Sequence, residues 1–181
     1  IPYLSCVWLH RRATPLCYLG RVSGFEACER RLAGVNKAPR AGTEITGREA
    51  ALIGIVIVAH GGLAREYLAA IEHVVGSQAG VRAISIQADD DRKAKEHEIC
   101  QAADDVDTGK GVVVVTDLFG GSPSNLSLLA CRPENRRILY GANLPMLIKL
   151  AKSRDFDVPD AVRAALAAGR KYIDSQNVSA D

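Results

Sequence analysis

One stretch of the chain is apolar without interruption, Ile53-Gly54-Ile55-Val56-Ile57-Val58-Ala59, and it stops at His60-Gly61-Gly62. An apolar run that does not alternate with polar residues is typical of a strand buried on both faces. From Leu63 to Val75 apolar residues recur at spacings of three and four, which predicts an amphipathic helix with Gly76 as its C-cap. The segment therefore predicts a strand, a tight turn and a helix.

Strands and helices continue to alternate along the rest of the chain. The further predicted strands are Val81 to Gln87, Gly111 to Asp117 and Arg137 to Ala142. The further predicted helices run from the acidic run Asp89-Asp90-Asp91 to about Val106, from Ser122-Pro123 to about Cys131, from Pro145 to Lys152, and from Val158 onward. Because right-handed crossovers return each helix to a face of the sheet, the fold class is α/β. We expect an open, mainly parallel, doubly wound sheet of order 2-1-3-4 with helices on both faces.

Two chemically suited side chains follow neighbouring strands of this predicted sheet. His60 ends the first strand and Asp117 ends the third. Ligands of such folds bind beyond the carboxyl ends of the strands, at the point where the strand order reverses. Asp117 can accept a hydrogen bond from the Nδ1–H group of His60, which leaves the lone pair of Nε2 for nucleophilic attack. We therefore predict that His60 and Asp117 are catalytic.

The loop after Asp117 adds groups that suit an anion. Gly120, Gly121 and Ser122 stand before a predicted helix, where backbone N–H groups and a hydroxyl favour a phosphoryl group. Taken singly, each feature has a plainer interpretation: a structural histidine, an aspartate that caps a loop, and an ordinary turn. Their joint placement favours phosphoryl transfer to a side chain.

Composition excludes several other classes of protein. With 23 Lys and Arg against 21 Asp and Glu the net charge is +2, which argues against nucleic-acid binding. No apolar stretch approaches the roughly 20 residues that cross a bilayer, so no membrane insertion is predicted. The five cysteines form no CxxC pair, and His73 and His97 lack metal-ligand spacing. We predict a cytoplasmic protein with no metal and no cofactor.

The first 50 residues differ from the rest of the chain. They carry eight basic and four acidic side chains, whereas residues 51–181 carry 15 and 17. They show no sustained period of 2 or 3.6, which favours a disordered extension or a misassigned start over a functional arm. Met146 is the only methionine, and we hypothesise that translation begins near Leu52. The predicted organisation is an extension over 1–50 and one domain over 51–181.

Three motifs in order carry a resemblance to a known family. They are Ile53 to Gly61, then Thr116-Asp117-Leu118-Phe119-Gly120-Gly121-Ser122-Pro123-Ser124-Asn125, then Gly141-Ala142-Asn143-Leu144-Pro145-Met146-Leu147. Residues 53–174 resemble the EIIA domain of the mannose family of the phosphoenolpyruvate-dependent sugar phosphotransferase system. The resemblance implies that His60 accepts a phosphoryl group from the phosphocarrier HPr and passes it to an EIIB protein. It also implies that Asp117 orients His60 and that Ser122 contacts the phosphoryl group.

The resemblance implies partners and an assembly as well. It implies a homodimer that exchanges a C-terminal segment as an antiparallel edge strand, for which Arg170 to Asp174 is the candidate, although the residue pattern alone continues the helix through it. Leu63, Leu118 and Phe119 are candidates for partner contact, with ordinary core or loop packing as the alternative.

Two other functions stay open. They are a regulatory module read by its phosphorylation state and the phosphoryl donor subunit of dihydroxyacetone kinase.

Overall fold

A computed structural model describes residues 51–176. The strands are β1 (Gly54–His60), β2 (Val81–Ile86), β3 (Val112–Thr116) and β4 (Arg136–Leu139). The helices are α1 (Leu63–Val75), α2 (Arg92–Val106), α3 (Ser122–Leu126), a 3₁₀ turn (Leu129–Cys131), α4 (Leu144–Ala151) and α5 (Val158–Lys171). Each predicted strand and helix is present in this part of the chain, although several boundaries differ.

The four strands form one parallel sheet of order β2-β1-β3-β4. In the centre of the sheet Val58 pairs with Ile84 of β2 on one side and with Thr116 of β3 on the other. The predicted fold class and strand order are confirmed. The change of direction in strand order lies at β1, so the carboxyl ends of β1 and β3 are neighbours.

Two apolar layers cover the sheet, one on each face. Alternate β1 residues, among them Ile55 and Ile57, pack with buried residues of α1, α4 and α5. The intervening residues Val56 and Val58 pack with buried residues of α2 and of the segment from α3 to the 3₁₀ turn. Successive side chains of a strand point to opposite faces, so a strand covered on both faces must be apolar throughout. This explains the unbroken apolar run in the sequence.

The helix predicted from Ser122 to about Cys131 is wrong in its length, because α3 ends at Leu126. The Ser127 hydroxyl donates to the Pro123 carbonyl oxygen over 2.7 Å, a side-chain bond of the kind that competes with continued helix. A separate 3₁₀ turn over Leu129–Cys131 follows. The shorter helix has a weaker dipole than the sequence suggested.

The acidic run before α2 is also placed differently from the prediction. None of its residues lies in the first helical turn, and Asp91 is the N-cap. Its carboxylate accepts a hydrogen bond from the Ala94 N–H group over 2.7 Å. An aspartate at this position satisfies a backbone donor that has no partner within the helix.

The C-terminal segment was predicted in two ways. The continuation of the last helix through Asp174 is wrong, because α5 ends at Lys171. Every strand pairing within residues 51–176 is parallel. The exchanged antiparallel strand at Arg170 to Asp174 requires a second copy of the chain, and it stays a prediction.

The predictions for residues 1–50 lie outside the described residues, so the domain boundary stays a prediction. Between residues 51 and 176, none of the helices combines the length and the apolar character needed to cross a membrane.

A buried arginine anchors the start of β1, at the end of the sheet opposite His60. Arg154 is 6% exposed, and its Nε and Nη1 atoms donate to the carbonyl oxygens of Ile53 and Ala79, each over 2.6 Å. The Arg154 carbonyl oxygen accepts from the Ile53 N–H group over 2.9 Å. Burial lowers the pKa of this guanidinium. The side chain satisfies the carbonyl group of buried Ile53 and links it to that of Ala79.

We expect Arg154→Ala to lower the free energy of unfolding by about 2–4 kcal/mol, because it leaves the buried Ile53 carbonyl group unsatisfied and opens a cavity. Urea unfolding followed by circular dichroism measures the change. The matched control is Arg163→Ala, an arginine whose side chain is 75% exposed and pairs only with Asp160, where the expected change is below about 0.5 kcal/mol. Equal losses in the two variants would contradict the anchoring role of Arg154.

Candidate functional site

His60 and Asp117 meet where β1 and β3 end side by side. One carboxylate oxygen of Asp117, Oδ2, accepts two hydrogen bonds from His60. The backbone N–H group of His60 donates over 3.0 Å, and Nδ1 of the ring lies 2.9 Å away. The ring bond assigns the proton to Nδ1, since the ionised carboxylate only accepts. In the neutral ring Nε2 then carries the lone pair, and it lies on the opposite edge of a ring that is 49% exposed.

Asp117 remains ionised although it is mostly covered. Burial alone would raise its pKa, but the hydrogen bonds from the His60 N–H group and ring, with the dipole of the Leu118 N–H group, bring the pKa below its usual value. Its second oxygen, Oδ1, is buried and has no hydrogen-bond partner within the described part of the chain. The negative charge of Asp117 is therefore stabilised mainly by its two hydrogen bonds with His60.

Tyr67 of α1 packs beside this pair. Its hydroxyl donates to the Ala142 carbonyl oxygen over 2.9 Å, and the Ala142 N–H group donates to the carbonyl oxygen of Thr116 over 3.0 Å. Burial, followed by the negative charge of Asp117, raises the pKa of Tyr67. The hydroxyl thus ties α1 to the end of β3 directly before Asp117. The sequence placed Tyr67 only on the apolar face of a helix.

The glycine pair after β3 brings the backbone close to the histidine ring. A Cβ atom on Gly121 would lie 3.1 Å from Cε1 and 3.6 Å from Nε2 of His60. Gly120 has a φ of 78°, a left-handed conformation that favours glycine. The pattern Ser122-Pro123 suggests a serine cap with proline at the first helical position, but the N-cap of α3 is Gly121 and Ser122 is the first helical residue. The Ser122 hydroxyl makes no hydrogen bond with another described residue.

A cleft of about 560 Å³ opens beside His60. It is lined by His60, Gly61, Ile86, Gln87, Ala88, Asp90, Arg92, Ser122 and Leu126. The structure therefore places His60 and Ser122 at one cavity. The sequence did not predict the opposite wall, which comes from the end of β2 and the start of α2. From the sequence alone, the acidic run before α2 is most simply the solvated start of a helix.

The three apolar residues predicted to contact a partner are exposed. Leu63 is 39% exposed, Leu118 58% and Phe119 75%. Leu63 follows His60 by three residues, and Leu118 and Phe119 follow Asp117 directly, so all three lie at the carboxyl end of the sheet. The Phe119 ring packs edge-on against Tyr140 at 4.9 Å between centroids. None of the three lies in the buried core, and the contact of Phe119 with Tyr140 is loop packing.

Within residues 51–176, no three His, Cys, Asp or Glu side chains are grouped in a way that would hold a metal ion. The strand ends bring together the hydrogen-bonded ring of His60, the Ser122 hydroxyl and the Arg92 guanidinium. The backbone at Gly121 lies close to the ring. This set of groups suits an anion that forms a bond to Nε2.

The fold and these groups define a doubly wound α/β domain with a histidine at the switch point of its sheet. The EIIA-man family, described as PTS system fructose IIA component, matches residues 54–167, which include every strand and most of the helices. The chain belongs to this family of phosphotransferase-system proteins.

Individual relatives agree with the family. The PTS system mannose-specific EIIAB component of Escherichia coli K12 is 31% identical over 124 residues, which cover 67% of this chain and 38% of that protein. The chain thus spans little more than a third of this relative. The crystal structure of phosphotransferase system component EIIA from Streptococcus agalactiae has a TM-score of 0.62 and 29% identity, covering 68% of this chain and 97% of that one. The PTS IIA protein associated with the fucose utilization operon of Streptococcus pneumoniae has a TM-score of 0.59 and 28% identity, with 69% and 95% covered.

The lowered pKa of Asp117 predicts a pH-dependent contribution to stability. A carboxyl whose pKa is lower in the folded than in the unfolded chain stabilises the fold above its unfolded pKa, and this contribution is lost as the pH falls through the folded pKa. The stability lost in Asp117→Asn should therefore be full at pH 7 and shrink below about pH 4. Urea unfolding of both proteins at pH 7 and pH 3 measures the two differences.

The matched control is Asp105→Asn, because Asp105 is an exposed aspartate of α2 that makes no contact with the site. It should differ little from wild type at either pH. A loss in Asp117→Asn that is the same at pH 7 and pH 3 would show that the charge of Asp117 does not stabilise the folded chain.

Proposed function

We propose that this protein is a phosphocarrier of a sugar phosphotransferase system. His60 accepts a phosphoryl group from the phosphohistidine of HPr and passes it to an EIIB protein during sugar uptake. The observation that supports this most directly is the 2.9 Å contact of His60 Nδ1 with Asp117, which leaves Nε2 facing a cleft. Family membership supports the same proposal.

The transfer to His60 is a substitution at phosphorus. The lone pair of Nε2 attacks the phosphorus atom in line with the P–N bond of the donor phosphohistidine. That bond breaks and its electron pair returns to the donor imidazole, while a new P–N bond forms at Nε2. The Nδ1 proton of His60 stays hydrogen-bonded to Asp117, whose negative charge stabilises the positive charge that develops on the ring.

Transfer between two histidines mainly requires positioning, because the donor already has a good leaving group. Asp117 fixes the ring and its tautomer, and the Gly120-Gly121 backbone leaves room beside Nε2. The Ser122 hydroxyl donates to a phosphoryl oxygen. The step to EIIB is the same reaction in the opposite sense, with the acceptor side chain as the nucleophile. The proposed step uses no metal and no nucleotide.

Both partners must reach the carboxyl end of the sheet. The exposed side chains of Leu63, Leu118 and Phe119 provide apolar contact area around the cleft. HPr and EIIB use this surface in turn, since each must place its own phosphoryl-bearing group at Nε2. We further propose that the protein acts in the cytoplasm as a homodimer, with exposed Tyr172 and Ile173 in the segment predicted to be exchanged.

A transfer assay with a matched histidine variant tests the proposed role of His60. The wild type, His60→Ala and His73→Ala are incubated with radiolabelled phosphoenolpyruvate, Enzyme I and HPr. We expect acid-labile label on the wild type and on His73→Ala, and none on His60→Ala. His73 is the matched control because it is an exposed histidine on α1, outside the cleft.

Label that persists in His60→Ala would place the phosphoryl group elsewhere. A folded wild type that takes no label from active donor proteins would contradict the phosphocarrier function. A labelled wild type that transfers nothing to any EIIB protein would instead favour the regulatory module.

A second prediction concerns the space beside Nε2. Gly121→Ala places a methyl group 3.1 Å from His60 Cε1, so the ring must shift, and we expect single-turnover phosphorylation to slow by about 10-fold or more. The control is Gly62→Ala, because Gly62 is also a helix N-cap with negative φ and a Cβ there has no atom within 4 Å. Similar rates in both variants would show that crowding at the ring does not matter.

A further inference from the structure

The cleft beside His60 must accept a large change in charge when Nε2 is phosphorylated. A phosphoryl group brings about two negative charges at neutral pH. Behind the ring lies the ionised carboxylate of Asp117. The short helix α3 gives little compensation, because it has only five residues. The phosphorylated site therefore needs a positive charge from another part of the cleft.

Arg92 is the only Lys or Arg among the described residues that line this cleft. The only acidic residue in the same lining, Asp90, already has partners. Its Oδ2 atom accepts from the Gln87 N–H group over 2.6 Å and lies 3.7 Å from the Nζ atom of Lys95. Arg92, by contrast, is exposed, and its side chain makes no ion pair or hydrogen bond with another residue in the range 51–176. Its guanidinium carries a charge that no neighbouring carboxylate neutralises.

The position of Arg92 is set by the backbone. It is the first residue of α2, directly after the N-cap Asp91, whose carboxylate is occupied by the Ala94 N–H group. This start of α2 follows the carboxyl end of β2, and β2 pairs with β1 up to His60, which lies opposite Ile86. The side chain therefore extends from one wall of the cleft, and the other wall carries His60 and Ser122.

We propose that Arg92 is a phosphoryl-binding residue that pairs with the phosphoryl oxygens during transfer to His60. This inference rests on the proposed function in that it names a further residue of the same site. Arginine presents a planar fork of donors that matches phosphoryl oxygens and keeps its charge at any physiological pH. Together with the Ser122 hydroxyl it would hold the group from two sides.

A reaction without partner proteins tests this role. Phosphoramidate phosphorylates histidine directly. Nε2 attacks the phosphorus atom of the zwitterionic reagent, the P–N bond of the reagent breaks, and neutral ammonia leaves with the electron pair of that bond. Phosphorus NMR measures the rate of phosphate incorporation into each protein. Subtracting the rate measured for His60→Ala gives the rate at His60. We expect Arg92→Gln to lower this rate by about 3- to 10-fold, and Arg92→Lys to recover part of it.

The matched control is Arg82→Gln. Arg82 is an exposed arginine at the opposite end of β2, outside the cleft, and it should react like the wild type. Added salt provides a readout that a purely structural role would not change. The advantage of the wild type over Arg92→Gln should shrink as ionic strength rises from about 0.01 M to about 1 M. Equal rates for wild type and Arg92→Gln at low salt would overturn the proposal.

The same variants in the transfer assay with phospho-HPr separate this inference from the proposed function. A wild type that phospho-HPr does not label, but whose reaction with phosphoramidate depends on Arg92, would overturn the phosphocarrier function and support the anion site. A wild type that is labelled by phospho-HPr at the same rate as Arg92→Gln, with equal phosphoramidate rates, would overturn the role of Arg92 and leave the phosphocarrier function intact.

Discussion

The double hydrogen bond from His60 to a single oxygen of Asp117 determines what the site can do. The backbone N–H group fixes where the carboxylate lies relative to β1, and the ring nitrogen fixes the imidazole relative to the carboxylate. Because both bonds end on Oδ2, ring orientation and strand alignment depend on the same atom. The ionised state of Asp117 is a consequence of these bonds, since burial alone would raise its pKa. A shift of β3 relative to β1 would therefore disturb both the tautomer and the position of Nε2.

The sequence is enough to predict this pair, because the prediction needs only the local apolar pattern of two strands and their order in the sheet. Unbroken apolar runs identify strands covered on both faces, and parallel strands end at one edge, so His60 and Asp117 follow from two short segments. Arg92 was not predicted, because its place in the cleft depends on how the turn after β2 directs α2. The length of α3 was missed for a similar reason. Both the N–H group and the hydroxyl of Ser127 donate to the Pro123 carbonyl oxygen where the helix ends, and hydrophobic periodicity does not show such bonds.

Tyr67 shows a further limit of reasoning from periodicity. Its spacing within α1 indicates the apolar face of a helix, and its ring does pack against the core. Its hydroxyl, however, reaches Ala142 beside the end of β3, a contact that needs the packing of α1 against the loop after β4. One side chain thus contributes to the core with its ring and to the site with its hydroxyl. Aromatic residues with a polar tip combine these roles readily.

Polar and charged side chains differ in their partners between the amino and the carboxyl end of the sheet. At the amino end, Arg154 donates to the carbonyl groups of Ile53 and Ala79, and Arg136 pairs with Asp104 at 2.8 Å and with Asp107 at 3.2 Å. At the carboxyl end, the Ser122 hydroxyl and the Arg92 guanidinium have no partner among the described residues, and Oδ1 of Asp117 is buried without one. An unpaired polar group reduces stability only where it is buried, so the cost falls on Oδ1 of Asp117 and not on the exposed guanidinium of Arg92. The contacts of Arg154 and Arg136 hold the amino ends of β1 and β4 in place, and the hydroxyl and the guanidinium at the carboxyl end are available to a ligand.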